Sequence, residues 1–280
     1  MRKVHVKEIK KTVSDLCIRA NTILRKDIEN AIRRSIDKEK DKKSKRLLGI
    51  LIDNARIARK ERLAICQDTG IVVCDIEIGQ DVRLIGGGFK KAINEGVREG
   101  YKKGFFRKSI VKDPILRKGA PEAFPAVIHM DIVKGKRIEI IVSPKGFGSE
   151  NKSRIKMFTP TADISTIKKF VVETVKEAGA DACPPFIIGV GIGGTFDKAA
   201  MLSKKALYRP IDIRNPKRHI RKLEIEIMEA VSKLKIGPMG LGGRTTCLGV
   251  NILDAPTHIA GLPVAVNIGC HATRSAGIII

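Results

Sequence analysis

The chain combines an ordinary hydrophobic content with a large excess of positive charge. It has 280 residues, of which 43% are hydrophobic, and its 54 Lys and Arg against 30 Asp and Glu give a net charge of +24. The hydrophobic content excludes a disordered chain, and no apolar run approaches the roughly 18–20 residues that a membrane helix needs. No apolar segment follows the charged amino terminus, so we expect no secretion signal and a cytoplasmic protein.

The positive charge raises the possibility of nucleic-acid binding. Much of it lies in the first third of the chain, as at residues 38–46, where acidic residues are interspersed. Such a run is typical of a solvated surface, and only two Tyr and no Trp are available to stack on bases. We expect a solvated face and keep a basic nucleic-acid-associated protein with structural cysteines as an alternative. Abundant Lys and Ile with few Gln suggest a thermophile.

The first 64 residues predict helices. Apolar residues recur at helical spacing over residues 9–17, 28–32 and 47–55. Cys17 belongs to the first of these apolar stripes, so we assign it no chemistry. An alternating, β-branched stretch over residues 71–78 then predicts a strand that contains Cys74.

Helices and strands alternate through the rest of the chain. A helix is predicted over residues 89–103, followed by a hairpin with strands at 126–133 and 137–142 that turns at Lys134-Gly135-Lys136. Further helices are predicted at 164–178, 197–207 and 216–234, before a strand-rich part from Thr245. The fold class is therefore α+β, with a helical N-terminal segment, 1–64, and a mixed portion, 65–280, that together form one continuous domain, 1–280.

The segment 189–194, GVGIGG, matches the pattern G-x-G-x-x-G between a predicted strand and a helix. This context is the one expected of a dinucleotide fingerprint. The acidic residue expected about twenty positions later is only Asp212, and alternating βαβ units are missing. We therefore favour glycines that let the backbone approach a cluster or a substrate carboxylate closely, beside a helix that begins near Thr195.

Three widely separated cysteines, Cys66, Cys183 and Cys270, lie in turn-rich segments and not on core faces. A fold that gathers them would provide thiolate ligands of the kind that iron–sulfur clusters use. Three Cys on a four-iron cluster leave one iron without a protein ligand, and an open metal site allows Lewis-acid catalysis. Spacing alone leaves buried structural thiols as the competing interpretation.

Five segments around these cysteines resemble the class I, iron–sulfur fumarate hydratase and tartrate dehydratase family. The resemblance covers about residues 60–275. Phe147 interrupts a glycine triplet of the family pattern, and His271 stands where a small residue is usual. The segments are CQDTG at 66–70, KGFGSENK at 145–152, CPP at 183–185, GLGG at 240–243 and CHATR at 270–274.

The resemblance implies a hydro-lyase that reversibly hydrates fumarate to malate, with a [4Fe-4S] cluster as Lewis acid within the portion 65–280. It implies that Cys66, Cys183 and Cys270 ligate the cluster. Cys247 is the rival third ligand, but the CHATR context favours Cys270. It further implies catalytic roles for Asp68 and His258, and substrate binding by Gln67, Arg107, Gly146, Gly148 and Lys152. Without the resemblance, Asp68 would be interpreted as a turn cap.

The resemblance also implies a partner. Fused members of the family continue into a second domain after the last of the five segments, whereas this chain ends six residues after Arg274. We therefore expect an α subunit whose active site is completed by a β subunit, in a hetero-oligomer such as α2β2. Within the same class, a tartrate dehydratase α subunit remains the alternative.

Overall fold

The computed structural model describes residues 1–280, and the chain forms two compact units. Unit 1 comprises Met1–Arg25, Asn54–Phe147 and Arg274–Ile280, and unit 2 comprises Lys26–Asp53 and Gly148–Thr273. Both units contain helices packed on a sheet, so the predicted α+β class is confirmed. None of the helices has the length and the continuous apolar surface that a membrane span requires. The division at residue 64 stays a prediction, as does a single continuous domain.

Unit 1 is built on a four-stranded sheet with the order β10-β5-β2-β4. These strands are β2 (Ile71–Gly79), β4 (Val127–Val133), β5 (Ile138–Lys145) and β10 (Ala276–Ile279). A short parallel pair of β1 (Arg2–His5) and β3 (Val82–Ile85) accompanies it. The helices α1 (Val6–Thr22) and α4 (Phe89–Lys103) pack on each other, and α1 also packs on β5.

The sheet of unit 1 corrects one prediction. Both strands of the expected hairpin exist, but they do not pair with each other. Strand β2 lies between them, parallel to β4 and antiparallel to β5. The reason is burial: Val72, Cys74 and Ile76 are fully covered, so β2 takes the centre of the sheet.

Unit 2 contains a second four-stranded sheet with the order β6-β9-β7-β8. Its strands are β6 (Arg154–Phe158), β7 (Phe186–Gly194), β8 (Cys247–Thr257) and β9 (Leu262–Gly269). Strand β7 is parallel to β8 and antiparallel to β9, which is itself antiparallel to β6.

Helices cover both faces of this sheet. The long helices of unit 2 are α2 (Lys26–Lys38), α6 (Ile164–Ala178), α7 (Phe196–Ala206) and α8 (Arg218–Ser232). Phe186, Ile188 and Val190 of β7 share a core with α6 and α8, whereas Gly189 and Gly191 face α7. Successive strand residues point to opposite faces, so unit 2 has three layers.

Two helices complete the chain. Helix α3 (Lys42–Glu61) begins in unit 2 and ends in unit 1, and α5 (Phe147–Glu150) is a single turn. The three predicted N-terminal helices are therefore confirmed as α1, α2 and α3. The helices predicted near residues 89–103, 164–178, 197–207 and 216–234 are confirmed with ends that differ by two residues or fewer.

Candidate functional site

In unit 1, the first cysteine lies in the loop between α3 and β2. Two backbone groups of Ile65 fix this loop: its amide donates to Asn21 O at 2.9 Å, and its carbonyl accepts from Asn54 Nδ2 at 2.9 Å. The next residue, Cys66, is half-buried, and its Sγ donates to Gln67 Oε1 at 3.3 Å. The thiol is thus held at the surface of a fixed loop.

Asp68 joins this loop to the turn that follows β5. Its Oδ1 accepts from the amide of Gly70 at 3.0 Å, and its Oδ2 accepts from the amide of Phe147 at 2.7 Å. Gly146 lies against the same carboxylate, since a Cβ added there would stand 3.0 Å from Oδ2. Asp68 therefore holds two predicted site segments together, and any role in proton transfer would use the remaining lone pairs of this carboxylate.

The backbone of Arg107 is hydrogen-bonded to the loop that carries Cys66 and Asp68. Its carbonyl accepts from Thr69 Oγ1 at 2.7 Å, and the carbonyl of Thr69 accepts from the hydroxyl of buried Tyr101 at 2.6 Å. The Arg107 residue itself is exposed. Its guanidinium is therefore available to a ligand in solution, as carboxylate binding requires.

The structure adds Arg274, to which the sequence analysis gave no role. Its side chain is 3% exposed, and its Nη2 donates to the carbonyl of Asp68 at 2.7 Å, while Nη1 lies 3.4 Å from Asn21 Oδ1. The carbonyl of Arg274 accepts from Ser143 Oγ at 2.7 Å. The arginine four residues after the candidate ligand Cys270 was visible in the sequence. The sequence does not show, however, that its side chain is buried.

In unit 2, Cys183 and Cys270 lie at the same end of the sheet. Cys183 precedes β7, and Cys270 follows β9, whose last residue Gly269 pairs with Ile187 at the start of β7. His271 links the two turns, because its amide donates to the carbonyl of Cys183 at 3.3 Å and its Nδ1 lies 3.1 Å from the same oxygen. The unusual residue His271 thus has a positioning role.

Lys152 and Gly148 belong to this end of unit 2 as well. Lys152 Nζ donates to Asp181 Oδ2 at 2.8 Å, two residues before Cys183. The hydrogen bond and charge of Lys152 lower the pKa of the Asp181 carboxyl. A Cβ added at Gly148 would lie 3.6 Å from the carbonyl of Asp181. The ammonium group is therefore close to the cysteine turns, and a substrate carboxylate would compete with Asp181 for it.

His258 lies at the opposite end of this sheet. It follows β8, whose last residue Thr257 pairs with Gly194 at the far end of β7. Eight residue steps along β7 span about 26 Å. The side chain of His258 is turned back on its own loop, with Nδ1 accepting from the amide of Ala260 at 3.2 Å. The structure does not bring His258 together with Cys183 and Cys270, and its substrate contact stays a prediction.

The six cysteines fall into two groups, and none forms a disulfide. Cys66, Cys183 and Cys270 are half-buried, whereas Cys17, Cys74 and Cys247 are buried. Burial raises the pKa of Cys74 and Cys247 to about 12 and that of Cys17 well above its ordinary value. Cys247 also donates to the carbonyl of Gly249 at 3.3 Å. A thiol that resists ionisation is a poor metal ligand, so this observation disfavours Cys247 as the third ligand.

Neither unit by itself gathers three or more His, Cys, Asp or Glu side chains that could hold a metal ion. The three half-buried thiols are nevertheless the donor type that iron–sulfur clusters take. Two of them stand on adjoining turns of unit 2, and the third stands on a fixed loop of unit 1. In donor chemistry and accessibility, these residues fit such a cluster.

Two glycines of the segment 189–194 have a different role from the expected one. A Cβ added at Gly189 or Gly191 would lie 2.1 Å from the carbonyl of Ser203 or Ala199 in α7. These two glycines therefore let helix α7 pack directly on strand β7. The interpretation that they bring backbone close to a ligand is wrong, because the helix occupies that space.

Comparisons with known proteins agree with the five sequence segments. The family model described as "Fumarate hydratase (Fumerase)" matches residues 10–279. A protein of Methanocaldococcus jannaschii named "Putative L(+)-tartrate dehydratase subunit alpha" is 39% identical over 281 residues, covering 96% of each chain. The "L(+)-tartrate dehydratase subunit alpha" of Escherichia coli strain UTI89 is 30% identical over 272 residues, covering 96% of this chain and 89% of its own.

The chain is therefore an enzyme of the carbon–oxygen lyase class, a hydro-lyase. It belongs to the fumarate hydratase (Fumerase) family. The recognition made from the five segments is thereby confirmed, and the family match extends almost from end to end of the chain.

Proposed function

We propose that the chain is the α subunit of a hydro-lyase that interconverts fumarate and malate. The observation that carries this proposal is the family match over residues 10–279, whose description is that of a fumarate hydratase. The grouping of predicted site residues within each unit supports it. Unit 1 contains Cys66, Gln67, Asp68 and Gly146 in or beside one loop, and unit 2 contains Gly148, Lys152, Cys183 and Cys270 at one sheet end.

We further propose that Cys66, Cys183 and Cys270 hold a [4Fe-4S] cluster. When bound, the cluster supplies a Lewis acid that makes a hydroxyl a better leaving group, with no electron transfer. The protein side chains must do the rest. Dehydration of malate removes a proton from the carbon next to one carboxylate and hydroxide from the neighbouring carbon, and hydration reverses both steps.

The two carboxylates of the substrate account for the roles proposed for the polar residues. Arg107 and Lys152 provide the cations, and Gln67 and the backbone near Gly146 and Gly148 provide neutral donors. These cations also stabilise the negative charge that develops when the carbon next to the carboxylate loses its proton. Asp68 is the proposed proton-transfer residue at this site. The catalytic role expected of His258 stays a prediction, since His258 lies at the opposite end of the unit 2 sheet.

Tartrate is the second candidate substrate. The names of the relatives support it, since the M. jannaschii and E. coli proteins are both named for L(+)-tartrate dehydratase. Dehydration of tartrate uses the same two bond changes on a substrate with one more hydroxyl. The same side chains would serve either reaction.

A β subunit is proposed as the partner. The relatives are named "subunit alpha", and the α2β2 arrangement expected from the resemblance would supply the remaining groups of the site. We expect the isolated chain to be inactive or nearly so. Turnover by the isolated chain comparable to that of the complex would contradict this.

The cluster is tested by iron and sulfide content and electronic absorption of chain purified without oxygen. We compare wild type with Cys270→Ser and with Cys247→Ser as the matched control. We expect about four irons per chain in the wild type and Cys247→Ser, and loss of iron in Cys270→Ser. Absence of iron from every variant would overturn the cluster.

The substrate is tested by a panel assayed with the α–β complex. Fumarate, L-malate and L(+)-tartrate are compared by kcat/KM. A preference for fumarate and malate supports the first proposal, and a preference for tartrate replaces it with the second. Activity on none of them, with the cluster present, would reject both substrates.

A further inference from the structure

Unit 2 contains a cavity of about 690 Å³ whose lining includes none of the residues assigned to the candidate site. It lies among four segments: α2, the connection between α7 and α8, Met228 of α8, and residues 244–248 just before and at the start of β8. This volume is within the range of small-molecule sites in proteins. The cavity therefore has room for an organic ligand.

The lining of the cavity is strongly positive. Four cations line it, Arg34, Lys38, Arg214 and Arg244, against the single carboxylate of Asp212. None of the four forms an ion pair. On the neighbouring face of α2, by contrast, Arg33 pairs with Glu29 at 2.9 Å. Four unpaired cations around one concave space favour a bound anion.

Nearby carboxylates hold the backbone and form no ion pair with these cations. Glu39 is 6% exposed, and its Oε2 accepts from the amide of Arg244 at 2.9 Å. Asp27 Oδ2 accepts from the amide of Ile211 at 3.0 Å. These two carboxylates fix the segments that carry Arg214 and Arg244 onto the α2 region, so the positive side chains project from a fixed framework.

Two of the four cations that line the cavity lie on the same face of α2. Arg34 and Lys38 are one helical turn apart, an arrangement in which like charges repel. An anion placed between them and the two arginines of the opposite segments would relieve this repulsion. Guanidinium groups bind phosphate and carboxylate through two parallel hydrogen bonds. Apolar side chains such as Met228 and Leu248 complete the lining and suit a ligand with a carbon framework.

We propose that this cavity binds a small organic anion with at least two oxyanion groups, a phosphorylated metabolite or a polycarboxylate, through residues that take no part in the candidate hydro-lyase site. The proposal does not depend on the substrate or on the cluster. It assigns Arg34, Lys38, Arg214 and Arg244 as anion-binding residues.

The test is calorimetric titration of the full-length chain with inorganic pyrophosphate and, separately, with citrate. The test variant is Arg34→Gln/Arg244→Gln. The control is Lys43→Gln/Lys45→Gln, which changes the net charge equally at exposed positions of α3 outside the cavity. We expect one anion per chain, affinity lowered at least about tenfold in the test variant, and less than about twofold change in the control. Circular dichroism verifies that both variants are folded.

The two ligands distinguish the source of the anion, because tighter binding of pyrophosphate indicates a phosphorylated ligand and tighter binding of citrate a polycarboxylate. Equal weakening by test and control variants would overturn the proposal in favour of a diffuse basic surface. Absence of binding by either anion at low salt would also overturn it. Binding of only an acidic polypeptide or RNA, lost in the test variant, would replace the small molecule with a macromolecular partner.

Discussion

Asp68 is a candidate both for fixing the local backbone and for proton transfer. Its carboxylate receives the amides of Gly70 and Phe147, and its carbonyl receives Arg274. The turn cap expected without the resemblance is therefore present. Each carboxylate oxygen retains a further lone pair, so a positioning role and a proton-transfer role are compatible in the same residue.

Asp68→Asn separates these roles. Asparagine keeps one oxygen acceptor but loses the ionisable group, so we expect kcat of the α–β complex to fall by about 100-fold or more. Thermal unfolding and circular dichroism measure how far the fold is preserved. Activity near that of the wild type in the folded variant would leave Asp68 with a positioning role alone.

Arg274 is expected to stabilise unit 1. Arg274→Met removes the donors to Asp68 O and Asn21 Oδ1 within a buried environment. We expect the free energy of unfolding to fall by about 2 kcal/mol, because a buried acceptor is left without its partner. Urea denaturation measures the change. The exposed Arg83 provides the control Arg83→Met, and an equally small effect at both positions would contradict this role.

The two groups of cysteines should differ in reactivity. The thiolate is the reactive form of cysteine, and burial raises the pKa of Cys74 and Cys247 to about 12. In cluster-free chain at about pH 8, we expect iodoacetamide to modify Cys66, Cys183 and Cys270 and to spare the other three until the chain is unfolded. Mass spectrometry of peptides locates the modified residues. Modification of Cys247 as fast as Cys270 would contradict the assignment.

At the scale of elements, local sequence patterns predicted helices better than strand pairing. The apolar stripes of α1, α2 and α3, and the ends of α4 and α6, are properties of contiguous residues. Strands β4 and β5 were also located correctly, but their neighbour β2 comes about fifty residues earlier in the chain. Pairing over such a separation depends on which strand can be buried on both faces, and no turn sequence contains that information. The short strands β1, β3 and β6, of four or five residues each, were not predicted.

The packing of α7 on β7 gives a sharp prediction. Gly191→Ala would place a Cβ 2.1 Å from the carbonyl of Ala199, so the helix must move away from the sheet. We expect a loss of about 2 kcal/mol in the free energy of unfolding, measured by urea denaturation.

Gly49→Ala is the matched control for this change. Gly49 lies in helix α3, and a Cβ added there meets no atom within 4 Å. We expect Gly49→Ala to stabilise the chain by up to about 1 kcal/mol. A Gly191→Ala variant as stable as the wild type would show that α7 can shift without loss of packing.

At the scale of the whole molecule, the roles of the predicted site residues stay predictions, and the structure shows where those residues lie. The structure groups the predicted residues of each unit, apart from His258. That residue was assigned from the resemblance, and its position twelve residues before Cys270 carried no information on distance, because β9 runs back across the sheet between them. Arg274 was given no role from the sequence, because its buried hydrogen bonds are visible only in the structure.

The net charge of +24 predicts that the rate of association with the proposed partner depends on salt. We expect association with the β subunit to be accelerated by charge, so its rate constant should fall by about tenfold as ionic strength rises from about 0.05 to about 0.5 M. Stopped-flow measurement of complex formation tests this. A rate independent of salt would show that the net charge of the chain does not accelerate association.

Unit 1 is assembled from three separate stretches of chain, and one strand of its sheet comes after all of unit 2. A fragment that stops at residue 147 contains β5 but neither β10 nor Arg274. In that fragment, one edge of β5 would keep unpaired backbone groups, and such edges promote aggregation. The sheet of unit 1 is therefore completed only by residues that follow unit 2 in the chain, so during synthesis unit 1 cannot finish folding before all of unit 2 has been made.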